Sequence, residues 1–205
     1  MDSDPEFKKE YTQQVERLLD QGYAELCRGE ESQSPVAWYL PHFGVRNPNK
    51  PNKLRLVFDA AAKSRGISLN DQLLEGPDLL QSLQGILFRF REGIVGVTAD
   101  IREMFLQIKI REEDQPAQMF FWRGEDRVGA PQKYKMTSMI FGANSSPFIA
   151  HSIRNMNAED HAEEYPRALK STTRHYSGFR EYHFSGRHAT IVAFANTISQ
   201  DDRPL

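Results

Sequence analysis

The chain has little of several features that mark specialised protein classes. Its 205 residues include one cysteine, Cys27, which excludes an internal disulfide and a zinc site built from several cysteines. A lone thiol of this kind is typical of a packed side chain in a reducing compartment. Lys and Arg number 26 against 28 Asp and Glu, which gives a net charge of -2. Any binding to nucleic acid must therefore rely on local basic clusters.

Long apolar segments are missing as well. No run approaches the ~18 residues that cross a bilayer, and the acidic start "MDSDPEF" is unlike a signal peptide. We therefore expect an intracellular, cytoplasmic protein that is not secreted and has no membrane partner. Hydrophobic residues make up 39% of the sequence, enough for one substantial domain or two small lobes.

Hydrophobic periodicity predicts a mixture of helices and strands. In the first half we expect a helix over 5–24 that Gly22 ends, an exposed connection at 28–35, an extended segment at 36–45, a loop at 46–53, a strand at 54–60 and two helices within 68–93 separated at Gly76-Pro77. In the second half we expect strands at 94–101, 106–110, 117–124 and 131–136, a helix over 144–156 opened by serines before Pro147, and a helical piece at 158–171 disturbed by Pro166.

Asp100 lies in the stretch "VTADIREMFLQI", at the end of a predicted buried strand and three residues before a second acid, Glu103. Two interpretations remain open from the residues alone. The carboxylate caps a following helix by accepting backbone N–H groups, or it holds a divalent cation, since Mg²⁺ prefers carboxylate oxygens together with substrate phosphates. A two-metal displacement would need a second aspartate close to the first.

A basic cluster precedes Asp100 in the sequence, and a loop of small residues follows it. Arg55 lies in a predicted strand next to basic loops, and such a cluster suits phosphate contacts or is a solvated surface. The loop "FGANSSP" would let backbone approach a nucleotide or template strand closely. The other members of the basic cluster are Arg46, Lys50, Lys53, Lys63 and Arg65.

Three blocks then resemble a known family. They are "LRLVFDAAAKSRGISLNDQLLEGPDLLQSL", "ADIREMFLQIKIREEDQPAQMFFWR" and "YKMTSMIFGANSSPFIA". The chain resembles, from about residue 7 to Tyr176, the reverse transcriptase domain of LTR retrotransposon polyproteins of the BEL/Pao type. The resemblance implies an α+β right-hand polymerase fold, with fingers and part of the palm.

The resemblance also implies roles for individual residues. Asp100 would be the first catalytic aspartate and, with the backbone carbonyl of Ile101, would bind Mg²⁺ or Mn²⁺. Phe105 would be the aromatic residue that blocks a ribose 2′-OH. Contacts to the incoming dNTP would come from Arg55, from Lys50 or Lys53, and from Phe141 and Gly142. Ser146 and Pro147 would open the helix that supports the template and primer, which are RNA or DNA.

The sequence departs from the family after residue 176. The family requires a tyrosine, a variable residue and two aspartates on a hairpin, but here "RHY" at 174–176 is followed by "SGFREYHF". Asp201 and Asp202 lie in the terminal "SQDDRPL", where a solvated chain end is the natural interpretation. We interpret the change as a frameshift, a mis-joined exon or a truncated gene model, and expect neither the hairpin nor the thumb, RNase H, protease and integrase domains.

These observations predict four segments: an N-terminal helix and lead-in at 1–45, a fingers-like segment at 46–93, a partial palm at 94–176 and a divergent tail at 177–205. Two-magnesium nucleotidyl transfer from dNTP to a primer 3′-OH is the implied reaction. Losing one metal-anchoring carboxylate predicts little or no activity from this chain alone. The alternatives are a non-catalytic nucleic-acid-binding remnant and a product that does not fold stably because its palm sheet has an unpaired edge.

Overall fold

A computed structural model describes residues 4–48, 50–91, 94, 100–124 and 129–166. The chain divides into two compact units. We call the first, Met1–Glu75 with Phe105–Ser146, the larger unit, and the second, Gly76–Met104 with Pro147–Leu205, the smaller unit. Helices and small antiparallel sheets together make the class α+β, as predicted. In the described part, no helix is long and apolar enough to span a membrane.

Helix α1, Pro5–Asp20, confirms the first predicted helix but ends four residues early. The carboxylate of Asp4 accepts the backbone N–H of Phe7 at 2.9 Å, which satisfies one of the free donors of the first turn. Gly22 lies just beyond the end with φ of 66°, a conformation that ends helices readily. The buried face of α1 packs on the core through Tyr11 and Val15.

A three-stranded antiparallel sheet has the order β1-β5-β4, with strands Ala24–Leu26, Gln132–Met136 and Met119–Trp122. The predicted strands at 117–124 and 131–136 are therefore confirmed as neighbours. Strand β1 was not predicted, because its three residues were taken partly into the preceding helix. Its backbone instead pairs with β5, with Ala24 opposite Met136.

A second sheet is the hairpin of β2, His42–Asn47, and β3, Lys50–Phe58. The prediction of a loop over 46–53 was wrong, because ladder pairing continues to Asn47 and Lys50. A register shift between Arg46 and Asn47 interrupts the ladder close to the prolines of this stretch. Proline lacks an N–H donor and is tolerated in strands at such irregularities.

The central core of the larger unit lies where α1 meets the strands. Its fully buried side chains include Val15, Phe120, Met136 and Ile140. Apolar spacing predicted α1, whose buried face reaches this core. Burial of such side chains is the main favourable contribution to folding of this unit.

The structure contains less helix within 68–93 than was predicted. Only a single 3-10 turn, Asn70–Gln72, forms in the first half of that stretch. Helix α2, Leu83–Phe90, begins six residues after Pro77. In between, Gly76 has φ of 80°, and the Asp78 carboxylate accepts the N–H of Leu80 at 2.8 Å, so local turns compete with helix.

Helix α3, Ser146–Asp160, confirms the predicted helix near 144–156 and extends four residues beyond it. The segment 106–110 was predicted as a strand, but turns occupy its first two residues and pairing is limited to one isolated bridge between Lys109 and Ser138. The predicted strand at 94–101 and the helical piece at 158–171 fall partly outside the described residues. The division of the chain into four segments stays a prediction.

Candidate functional site

The loop at 140–146 joins β5 to α3 and carries two of the predicted nucleotide-contacting residues, Phe141 and Gly142. The Phe141 side chain is 66% exposed, although it is large and apolar. The ring of Phe105 meets it edge to face, with centroids 5.1 Å apart and an angle of 77°. Aromatic pairs of this geometry attract by about 0.5 to 1.5 kcal/mol. Two residues that are 36 positions apart in sequence thus form one aromatic surface.

Gly142 brings the same loop against strand β3. Its φ is 125°, which side chains rarely adopt, and a Cβ added there would lie 2.7 Å from the backbone oxygen of Phe58. Backbone can approach this closely only where there is no side chain. The family resemblance pointed to this glycine, and the structure supplies a physical reason for the residue type.

Two asparagines clamp the loop from the side. The amide of Asn70 donates to the carbonyl oxygen of Gly142 at 3.3 Å, and its oxygen accepts the N–H of Asn144 at 3.0 Å. Asn144 returns a hydrogen bond from its amide to the backbone oxygen of Asn70 at 3.1 Å. Sequence reasoning missed this clamp, because asparagine in polar segments is read as a turn residue.

Buried side chains fix the base of the loop. Gln118 accepts the N–H of Ile140 at 3.2 Å, and the hydroxyl of Ser146 donates to the Ile140 carbonyl oxygen at 2.9 Å. The prediction that serine caps the helix is therefore wrong for the Ser146 hydroxyl, which bonds backward to the loop. Pro147 follows in the first turn of α3 and is exposed. Its predicted role and that of Ser146 in template support stay predictions.

Strand β3 carries the predicted basic contacts. Arg55 and Lys53 are exposed, and Arg55 lies opposite Val45, three residues before Phe58. Lys50 is the first residue of the strand, where its backbone pairs with Asn47. The strand that bears Arg55 thus also presents the carbonyl against which Gly142 packs.

The remaining basic residues differ in their surroundings. Arg46 forms an ion pair with Glu10 at 2.8 Å and lies over the ring of Phe7 at 5.7 Å. Arg46 is therefore engaged with α1. Lys63 and Arg65 are exposed in the turn after β3.

Asp100 and Ile101 belong to the smaller unit. Asp100 is exposed and Ile101 is half-buried. Residues 102–107 form turns, so the described chain offers no helix directly after Asp100 for it to cap. Searched over the described residues, His, Cys, Asp and Glu form no group of three that could hold a metal ion. A two-magnesium centre uses more than one carboxylate, so Asp100 does not complete one by itself. The segment 174–176, Asp201 and Asp202 lie outside the described residues.

No family model matches the chain, and no curated protein matches it.

Proposed function

We propose that the chain is a fragment of a retrotransposon reverse transcriptase, an RNA-directed DNA polymerase of the BEL/Pao type with fingers and part of the palm. The observation that supports this proposal is the loop at 140–146, whose Phe141 ring meets Phe105 and whose Gly142 packs on the Phe58 carbonyl. A rigid aromatic surface beside close-packed backbone suits a sugar and its base.

In this proposal the larger unit binds the incoming dNTP. The ring of Phe105 blocks a ribose 2′-OH, and Arg55 contacts the triphosphate, since a guanidinium suits bidentate binding of phosphate oxygens. Lys50 or Lys53 adds positive charge from the same strand. The Asn70 and Asn144 clamp holds the loop in place before the nucleotide arrives, which lowers the ordering cost of binding.

Nucleotide selectivity tests the proposal. Binding of dATP and ATP is measured by calorimetry in the presence of a primer–template whose next template base is uracil. The intact chain is expected to prefer dATP, and Phe105→Ala is expected to remove the preference. Arg55→Gln should weaken both nucleotides about tenfold, because it removes a charged hydrogen bond.

Phe88→Ala is the matched control, since Phe88 is 71% exposed on α2 in the smaller unit. It should leave the preference for dATP intact. Equal binding of dATP and ATP by the intact chain would contradict the proposed pocket, as would a preference that survives Phe105→Ala.

We propose further that the chain alone does not polymerise, because the two aspartates that the family requires do not follow Tyr176 in this sequence. A primer-extension assay with Mg²⁺ is expected to give no product above that of Asp100→Ala. Processive synthesis that Asp100→Ala abolishes would show the inactivity proposal to be wrong.

The exposed basic residues favour one alternative, a non-catalytic nucleic-acid-binding remnant. Lys53, Arg55, Lys63 and Arg65 are all exposed on or directly after β3. Binding to a primer–template that falls steeply with salt, without any selectivity between dATP and ATP, would favour this remnant over the polymerase fragment.

A further inference from the structure

The ring contact between Phe105 and Phe141 depends on a short path of backbone. The N–H of Ile108 donates to the carbonyl oxygen of Phe105 at 3.1 Å, and the N–H of Met139 donates to the carbonyl oxygen of Ile108 at 2.9 Å. Phe105 is thereby tied to Met139, two residues before Phe141. Ile140 is the one residue between them, so its backbone dihedral angles set the direction in which the chain reaches Phe141.

Buried side chains hold both peptide groups of Ile140. Oε1 of Gln118 accepts its N–H at 3.2 Å, and the hydroxyl of Ser146 donates to its carbonyl oxygen at 2.9 Å. Ile140 and Ser146 are each 1% exposed and Gln118 is 7% exposed. A backbone group buried to this degree is costly to leave without its partner. The two hydrogen bonds therefore fix the dihedral angles of Ile140.

The sheet places Gln118 on rigid support. Gln118 ends the 3-10 turn Gln115–Gln118 and directly precedes β4. On one side of it, the carbonyl oxygen of Pro116 accepts the N–H of Trp38 at 2.9 Å. On the other side, the N–H of Met119 donates to the carbonyl oxygen of Trp38, also at 2.9 Å. The position of the Gln118 amide is therefore set by the sheet and not by the loop that it contacts.

A second buried glutamine in the same turn holds a different segment. Gln115 is 6% exposed, and its Nε2 donates to the carbonyl oxygen of Ile110 at 3.1 Å. Both glutamines join a buried amide to backbone. The hydrogen bond of Gln118 reaches the loop at 140–146, whereas that of Gln115 does not. Gln115 is therefore a matched control for Gln118.

We propose that Gln118 is a positioning residue for discrimination between deoxynucleotides and ribonucleotides. By fixing the N–H of Ile140 it orients Phe141 against Phe105, and so sets the space left for a ribose 2′-OH. Ser146 fixes the carbonyl of Ile140 to the same effect. Gln118 is buried and acts without touching the nucleotide. This inference rests on the proposed function, since discrimination requires a nucleotide at Phe105.

Amide hydrogen exchange of the full chain tests the structural step without any nucleotide. It is followed by NMR on protein that contains isotope-labelled isoleucine. Gln118→Met removes the acceptor at similar side-chain length, so the N–H of Ile140 should exchange about tenfold faster, the effect of one lost hydrogen bond. Gln115→Met should leave this rate unchanged. Circular dichroism establishes that each variant is folded.

Calorimetry with dATP and ATP, on the primer–template that tests the dNTP pocket, follows the step to selectivity. Gln118→Met should lower the preference for dATP by about threefold to tenfold, and Gln115→Met should keep it. Gln118→Glu retains an acceptor oxygen and should keep most of the preference. A purely structural defect would weaken dATP and ATP equally, so their ratio separates a positioning role from a loss of stability.

Ser146→Ala is the second variant, because it frees the carbonyl of Ile140 and should lower the dATP preference in the same way. If Gln118→Met does not fold, the ratio of dATP to ATP binding in Ser146→Ala decides. A preference that Ser146→Ala retains then overturns the positioning role.

The failure of this proposal is distinguishable from that of the dNTP pocket. The positioning role is overturned if the intact chain prefers dATP and Gln118→Met either retains that preference or loses no more of it than Gln115→Met does. Unchanged exchange at Ile140 in Gln118→Met also overturns it. Equal binding of dATP and ATP by the intact chain contradicts the pocket itself, and the positioning role then falls with it.

Discussion

Gly142→Ala should destabilise the larger unit through two effects that the structure separates. The φ of 125° strains any residue with a Cβ, which costs about 1 to 3 kcal/mol. The added Cβ would also lie 2.7 Å from the backbone oxygen of Phe58, so strand or loop must shift. Forced overpacking of this kind costs about 1 to 3 kcal/mol. Alanine recovers about 0.4 to 1 kcal/mol by restricting the unfolded chain. The expected net loss is about 3 kcal/mol.

Gly66→Ala is the matched control, because it shares the positive φ without the close approach. Gly66 has φ of 84°, and a Cβ there would meet no atom within 4 Å. Its expected net loss is about 1 kcal/mol, from a left-handed backbone cost of about 1 to 2 kcal/mol offset by the unfolded chain. Urea unfolding followed by tryptophan fluorescence measures both. The chain's two tryptophans, Trp38 and Trp122, lie in the larger unit and report its unfolding.

The difference between the two variants is the informative quantity, since it isolates the packing of the loop on β3. A loss in Gly142→Ala equal to or below that in Gly66→Ala would refute the contact between Gly142 and Phe58. The close approach to Phe58 would then no longer explain why the proposed dNTP pocket has a glycine at position 142.

Three other predictions concern the larger unit. Asn70→Ala should lower its free energy of unfolding by about 1 to 3 kcal/mol, because Gly142 and Asn144 lose their clamp; urea unfolding no different from the wild type would contradict the clamp. Hydrogen bonds lower the pKa of Glu31 to about 2. The largest effect comes from the residue's own backbone N–H, and the backbone N–H of Arg28 and the side chain of Lys135 add to it. The stability that ionised Glu31 contributes is present above the unfolded pKa of about 4.5 and is lost as pH falls towards 2. The free energies of unfolding of the wild type and Glu31→Gln, measured from pH 5 to 2, should therefore differ least at pH 2. A difference that stays constant over this range would contradict the prediction. Burial lowers the pKa of His42. The stability contributed by its neutral ring is therefore present above the unfolded pKa of about 6.5 and is lost as pH falls below that value. His42→Phe should flatten the dependence of the melting temperature on pH between 7 and 5, and an unchanged slope would count against a buried neutral ring.

Patterns local in sequence predicted several elements correctly. Apolar spacing and a terminal glycine predicted α1, and two apolar segments around a turn predicted the β4–β5 hairpin. The loop at 46–53 was predicted wrongly because proline and asparagine indicate turns, whereas pairing with β2 carried the strand through them. A helix was expected after Pro77, but side-chain and glycine turns around Gly76 and Asp78 delayed it to Leu83.

The candidate site was likewise predicted only in part. Family resemblance named Phe105, Phe141 and Gly142, but their contact depends on segments far apart in the chain. No sequence pattern indicated that Asn70 and Asn144 interact, because their hydrogen bonds join positions 74 residues apart. The hydrogen bond between Gln118 and Ile140 likewise joins positions 22 residues apart and was not predicted.

The sequence by itself determined the α+β class, the amphipathic face of α1, the β4–β5 hairpin and the residues that resemble a polymerase, because periodicity and motifs are local properties. Tertiary structure alone decided which backbone oxygen meets Gly142, which side chains clamp its loop, and that Gln118 holds the backbone of Ile140. Each of these depends on distant segments packed in three dimensions, where hydrogen bonds and close contacts form between residues that no local pattern connects.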